Sequence, residues 1–124
     1  MITLELSWPP SVNHYWETSG KRRYIGKHGI QYIAEVKSRR MHLGDLAWLK
    51  QPLRGVSLVV SIYAYPPDKR RRDLDNTLKC CLDSIQKAGI IDDDYNIVDL
   101  RIVRREVQKP GRLVVTISRF DAPN

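Results

Sequence analysis

Thr3-Leu4-Glu5-Leu6 alternates polar and apolar residues, so residues 2 to 7 are predicted to form a half-buried strand that ends at the Pro9-Pro10 pair. A polar stretch with Gly20, Gly26 and Gly29 follows and carries Lys21, Arg22 and Arg23, the pattern of a mobile basic loop. Residues 31 to 50 contain no proline and predict a helix, with Ile30, Ile33, Ala34, Met41 and Trp48 along one side. Residues 56 to 64 are β-branched and apolar enough for an interior strand, which Pro66-Pro67 stops. Leu78, Cys81, Leu82 and Ile85 follow Leu74 at offsets of 4, 7, 8 and 11. On an α-helix that spacing confines them to about 100° of arc. Gly89 comes just after the last periodic residue, where a C-cap belongs. Two more strands are predicted over residues 97 to 107 and 112 to 119, joined by Lys109-Pro110-Gly111-Arg112 with Pro and Gly at the centre of a type II turn. The order strand-helix-strand-helix-strand-strand implies an α+β domain (an α/β-type layout) with one mixed sheet.

The 124 residues show no repeat and no linker, so residues 1–124 are expected to form a single domain. No apolar run reaches the roughly 20 residues of a membrane span, and the N-terminus lacks the basic and apolar regions of a signal peptide. The only cysteines, Cys80 and Cys81, are adjacent in the helical pattern, where a disulfide is hard to form, which fits a reducing cytoplasm. They are expected to fill core space. The net charge of +7 hides a division: residues 73 to 99 carry seven aspartates against two lysines. The rest of the chain is therefore strongly basic, which suits either a polyanion binder that also holds a cation or a surface charged for solubility.

Candidate chemistry centres on Arg72-Asp73-Leu74-Asp75-Asn76-Thr77-Leu78-Lys79 and, beyond the helix, Asp92-Asp93-Asp94. Asp73 and Asp75 point the same way only if the backbone is extended there, which makes Asp75 the N-cap and Asn76 the first helical residue. Asp92 to Asp94 approach them only if the chain turns back at Gly89. Carboxylates gathered in this way repel by roughly 4 kcal/mol per pair at an effective dielectric near 20, so they call for a counter-ion. An all-oxygen donor set suits Mg²⁺ or Mn²⁺, and no His or Cys has a spacing useful for zinc. Such an ion activates water and stabilises a pentacovalent phosphate, with Lys79 one turn past Asp75 as a further positive charge. The plainer alternative makes Asp75 and Lys79 an i,i+4 helix pair and the three aspartates a solvated turn.

Arg70-Arg71-Arg72-Asp73-Leu74-Asp75-Asn76, Lys79, Asp83, Lys87-Ala88-Gly89, Asp93-Asp94 and Val98-Asp99 together resemble the RusA family of Holliday-junction resolvases, small dimeric endodeoxyribonucleases. Trp8-Pro9-Pro10-Ser11 with Asn13 resembles that family's N-terminal signature, and Gly111-Arg112-Leu113 its closing hairpin. The resemblance implies the RusA-like fold and Mg²⁺ or Mn²⁺ on Asp73, Asp75 and Asp94, with Asp93 as a fourth ligand. It also implies a catalytic basic residue at Lys79 and junction handling by Arg72. Asp92 departs from the family's pair, but counting forward from Gly89 and back from Val98-Asp99 both lead to Asp94 as the third ligand.

Lys69, Arg70, Arg71 and Arg72, directly before the carboxylates, are the expected DNA-backbone contacts, together with Asn76. Lys21, Arg22 and Arg23 form a second candidate patch. Trp8-Pro9-Pro10 is expected to anchor the core, and Tyr15 and Trp16 either stack on unpaired bases or are buried. Asp83 is expected to tolerate Asn if it is only a surface partner of Lys87. Two symmetric cuts in a four-way junction need two sites, so a homodimer on branched DNA, with no membrane, is the expected assembly. A non-catalytic basic DNA-binding protein with structural Asp clusters is the rival reading.

Overall fold

The computed structural model describes residues 1–41 and 55–120. Strand β1 (Ile2–Ser7) leads through a short helix α1 (Val12–Tyr15) to a hairpin of β2 (Trp16–Ser19) and β3 (Arg22–Ile25), then to helix α2 (Lys27–Met41). Strand β4 (Leu58–Tyr65), helix α3 (Leu74–Lys87), a 3-10 turn (Asp94–Asn96), β5 (Ile97–Arg104) and β6 (Arg112–Arg119) complete the mixed α+β fold.

The main sheet has the order β1-β6-β4-β5, and only β4 and β5 run parallel. A parallel pair needs a crossover connection, and α3 supplies it. Strand β6 therefore does not close a hairpin with β5. It passes β4 and inserts between β4 and β1, which corrects the expectation of a closing hairpin. The turn also falls one residue earlier than the sequence implied, with the Gly111 amide on the Gln108 carbonyl at 2.6 Å and a cis bond before Pro110.

Alternation along β1, β4 and β6 turns Ile2, Leu4, Leu6, Leu58, Val60, Ile62, Ala64, Leu113, Val115 and Ile117 into one core under the helices. Helix α2 begins at Lys27 rather than Gln31 and buries Tyr32 and Val36, whereas Ile30 is exposed and Ala34 faces outward. The expected stripe was rotated because Tyr32 brings an apolar ring to the core and sends its hydroxyl to the Ser7 carbonyl at 2.7 Å. The part of that predicted helix beyond Met41, including Trp48, lies outside the described residues.

The basic stretch expected as a mobile loop is the β2–β3 hairpin, closed by a two-residue turn whose first residue, Gly20, has φ +63. At its C-terminus, α3 ends in a Schellman motif. The Gly89 amide (φ +76) bonds the Gln86 carbonyl at 3.0 Å and the Ile90 amide bonds the Ile85 carbonyl at 3.0 Å. Ile90 and Ile91 are buried, and so turn the chain back alongside α3. Both cysteines are buried and free, and burial pushes the Cys80 thiol up to about 11 and the Cys81 thiol to about 12.

Candidate active site

Helix α3 starts two residues earlier than the sequence suggested. The Asp73 carbonyl accepts from the Asn76 amide at 3.2 Å and its backbone is extended (φ −83, ψ 131), so Asp73 is the N-cap and Asp75 already lies in the first turn. Extended backbone therefore does not run through both residues, because the first helical hydrogen bond closes onto Asp73 instead. The Asp73 side chain makes no capping hydrogen bond, and both carboxylates are exposed beside the positive end of the helix.

From Asp75 the helical spacing puts Lys79 and Asp83 on the same face, at i+4 and i+8. Lys79 is exposed, and among the described residues no carboxylate pairs with it. Its Nζ instead lies 5.1 Å from the centre of the Trp16 ring, with Arg23 of β3 4.7 Å from the same ring. Asp83 is half-buried and accepts a 2.6 Å hydrogen bond from the hydroxyl of the fully buried Tyr15. It is therefore tied to the core rather than being a surface partner of Lys87. Burial, with the Asp83 carboxylate second, raises the Tyr15 phenol far above its usual range.

At the other end of α3, Asp93 caps the 3-10 turn by accepting from the Tyr95 amide at 3.0 Å. Partial burial, then the Asp93 carboxyl, with a smaller push from Asp83, raise the Asp94 carboxyl above the usual range. The returning chain thus brings Asp94 towards Asp83. Asp83 stands about 12 Å along the helix axis from Asp75. Among the described residues no three carboxylate, thiol or imidazole groups gather closely enough to surround one cation. The donors are nonetheless hard oxygens in two clusters, Asp73 with Asp75 and Asp93 with Asp94, and the mutual repulsion at Asp94 is what a cation would relieve. Mg²⁺ commonly takes one or two carboxylates from a protein and completes its shell with phosphate oxygens and water, so the donor set fits the ion.

The loop between β4 and α3 is folded around Asp68. The Arg72 Nη1 donates to Asp68 Oδ1 at 2.7 Å, the Arg70 amide donates to the same oxygen at 2.9 Å, and these contacts hold the Asp68 carboxyl down at about 2. From β5, Arg104 Nη2 donates to the Arg72 carbonyl at 2.6 Å, and the Arg72 guanidinium lies 5.7 Å from the Trp8 ring. Arg72 is therefore a brace, whereas Lys69, Arg70 and Arg71 stand in solvent.

Two clefts flank this loop. One, of about 650 Å³, lies between Trp8–His14 and the segment of Arg70 to Asp73 with Asn76 and Thr77. The other, of about 570 Å³, has Arg104 and Arg105 on its far wall. Trp8 lines both. Lys21 and Arg22 are exposed at the hairpin tip and line neither cleft, whereas Arg23 shares the Trp16 ring with Lys79. Sequence reasoning missed Asp68, the Tyr15–Asp83 bond and Arg104. Asp68 has an i,i+4 spacing to Arg72, but in a loop that spacing carries no signal.

No helix of the described residues is long and apolar enough to cross a membrane. The family model for endodeoxyribonuclease RusA matches residues 7–118. The chain is 37% identical over 117 residues to the crossover junction endodeoxyribonuclease rusA of Enterobacteria phage HK97, covering 94% of this chain and 93% of that protein. It is 36% identical over 122 residues to the crossover junction endodeoxyribonuclease RusA of Escherichia coli (strain K12), covering 95% and 94%. With a match spanning both the basic loop and the two acidic clusters, the chain belongs to the RusA endodeoxyribonuclease family.

Proposed function

We propose that this chain is a cytoplasmic single-domain endodeoxyribonuclease, dependent on Mg²⁺ with Mn²⁺ as a substitute, that resolves four-way DNA junctions as a homodimer. The relatives' names supply the substrate class. The observation that carries the reading is that Asp73 and Asp75 are not put to the plain structural uses open to them. Asp73 does not cap with its side chain, and Asp75 and Lys79 do not pair although one turn separates them. Three charged groups are left exposed beside a basic double cleft. That arrangement costs stability and offers nothing to a protein that only binds DNA through its lysines and arginines.

In this reading Lys69, Arg70 and Arg71 hold backbone phosphates along the loop, Asn76 contacts the strand in the cleft, and Arg72 keeps the loop in shape from Asp68. Lys21, Arg22 and Arg23 extend the surface towards a neighbouring arm. Asp73 with Asp75 at one end of α3, and Asp94 with Asp93 at the other, are the carboxylates that would supply ligands to divalent metal, which when bound would provide water activation and stabilisation of the pentacovalent phosphate. The Lys79 ammonium donates hydrogen bonds to the oxygens of the scissile phosphate, where charge accumulates. One chain offers one Lys79, so paired symmetric cuts need two copies about a two-fold axis.

Sedimentation with a junction present tests the assembly and should show two chains per junction. A 14.4 kDa species throughout would refute it. A rise in melting temperature with Mg²⁺ tests the metal, since a ligand bound only by the folded state stabilises it, and an unmoved midpoint would favour the non-catalytic binder.

A further inference from the structure

We propose that Trp16 is a positioning residue for Lys79, holding its ammonium on the indole face so that an undiminished positive charge is presented to the phosphate. The inference rests on Lys79 being the basic group of the cutting site. A lysine stem is flexible and samples many rotamers, so a group that must meet one phosphate oxygen benefits from a fixed seat. Either neighbouring carboxylate, Asp75 or Asp83, would provide a seat only by neutralising the charge. An aromatic face attracts the cation without consuming its hydrogen bonds. Lys79 Nζ lies 5.1 Å from the Trp16 ring centre, and among the described residues it has no carboxylate partner.

Trp16 is itself held firmly. Its neighbour Tyr15 is fully buried, bonds Asp83 one turn beyond Lys79 at 2.6 Å, and packs its ring 4.3 Å from that of Trp16. The Tyr15 carbonyl accepts from the Gly26 amide at 2.9 Å, and a Cβ on Gly29 would come within 2.5 Å of that oxygen. Two consecutive residues thus clasp Lys79 and Asp83, which are themselves one turn apart on α3. Arg23, 4.7 Å from the same indole, adds a second cation, so the ring gathers positive charge where a phosphate would arrive.

The test is single-turnover cleavage of a synthetic four-way junction in saturating Mg²⁺ by the full chain and by W16A, W16L, W16F, K79A and W16A/K79A. Losing the aromatic face should slow cutting by about 5- to 30-fold in W16A and W16L, while W16F recovers most of the rate. Metal-free junction affinity should stay unchanged, and W16A/K79A should cut no more slowly than K79A. The W16L and W16F pair carries the comparison even if W16A fails to fold, because leucine fills space without a π-face. The proposal is overturned if W16L cuts like the wild type, if W16A lowers the rate further in the K79A background, or if the whole effect is a loss of junction affinity. K79A cutting at the wild-type rate overturns the assignment of Lys79 itself. That outcome is distinct from one in which K79A is slow and the Trp16 variants are not.

Discussion

Gly111→Ala should destabilise the protein more than any other glycine substitution at a turn. Gly111 has φ +93, and a Cβ there would meet Pro67 Cδ at 2.9 Å, Trp8 Cβ at 3.0 Å and Pro67 Cβ at 3.1 Å. The left-handed backbone costs an alanine about 1–2 kcal/mol, and forcing apart atoms at such distances costs about 1–3 kcal/mol. The stiffer unfolded chain returns about 0.4–1 kcal/mol. The net loss is about 2–4 kcal/mol, which at a urea slope of about 2 kcal/mol per M lowers the unfolding midpoint by about 1–2 M. Gly20→Ala is the internal control: its φ is +63 but nothing lies within 4 Å of the added Cβ. It should lose only about 1 kcal/mol, the strain alone. Equilibrium urea unfolding followed by circular dichroism, with the slope unchanged, measures both. Gly111→Ala within about 0.5 kcal/mol of Gly20→Ala would refute the close packing of this turn between Trp8 and Pro67.

Asp68 should titrate low by carboxyl NMR. The Arg72 guanidinium and the Arg70 amide hold its carboxyl down at about 2, below the ordinary 3.8, so the stabilisation it carries is present above 3.8 and lost as the pH falls through about 2. In Arg72→Ala the midpoint should rise towards the ordinary carboxylate range while the Arg70 amide still holds it partly down, and an unmoved midpoint would contradict the pairing. Changing the exposed Arg70 and Arg71 to Ala should flatten the dependence of junction affinity on log salt by about 1.8 per chain. An unchanged slope would move the DNA path off this loop. Asp83→Ala should lower unfolding stability by about 1–3 kcal/mol by stranding the buried Tyr15 hydroxyl, whereas a loss no larger than that of Lys87→Ala would return Asp83 to the surface.

Strand β4, helix α3 and the Gly89 cap were legible in the sequence because each is bounded by a residue with one local meaning: Pro66 after the strand, Gly89 after the helix. What misled was polarity taken at face value. Tyr32, Thr77 and Ser84 face the core, and the Ser84 hydroxyl can do so because it donates to the Cys81 carbonyl at 2.8 Å. The β2–β3 hairpin is mostly polar, so it carries no alternation to read. The insertion of β6 between β1 and β4 is a long-range choice that no local window contains. At the site, the residue types and their order were visible, but their grouping was not. The helix start moved to Asp73, Arg72 turned inward to Asp68, and Lys79 found an aromatic ring rather than Asp75.

Metal-dependent resolution is tested by incubating a synthetic four-way junction with the protein and with Asp94→Asn, with and without Mg²⁺, and mapping the products on both strands. The wild type should make paired symmetric cuts only when Mg²⁺ is present, and the Asp94→Asn protein should bind the junction at least as tightly without metal yet leave it whole. A junction bound but uncut by the wild type in saturating Mg²⁺ and Mn²⁺, or cut by Asp94→Asn at the wild-type rate, would contradict it.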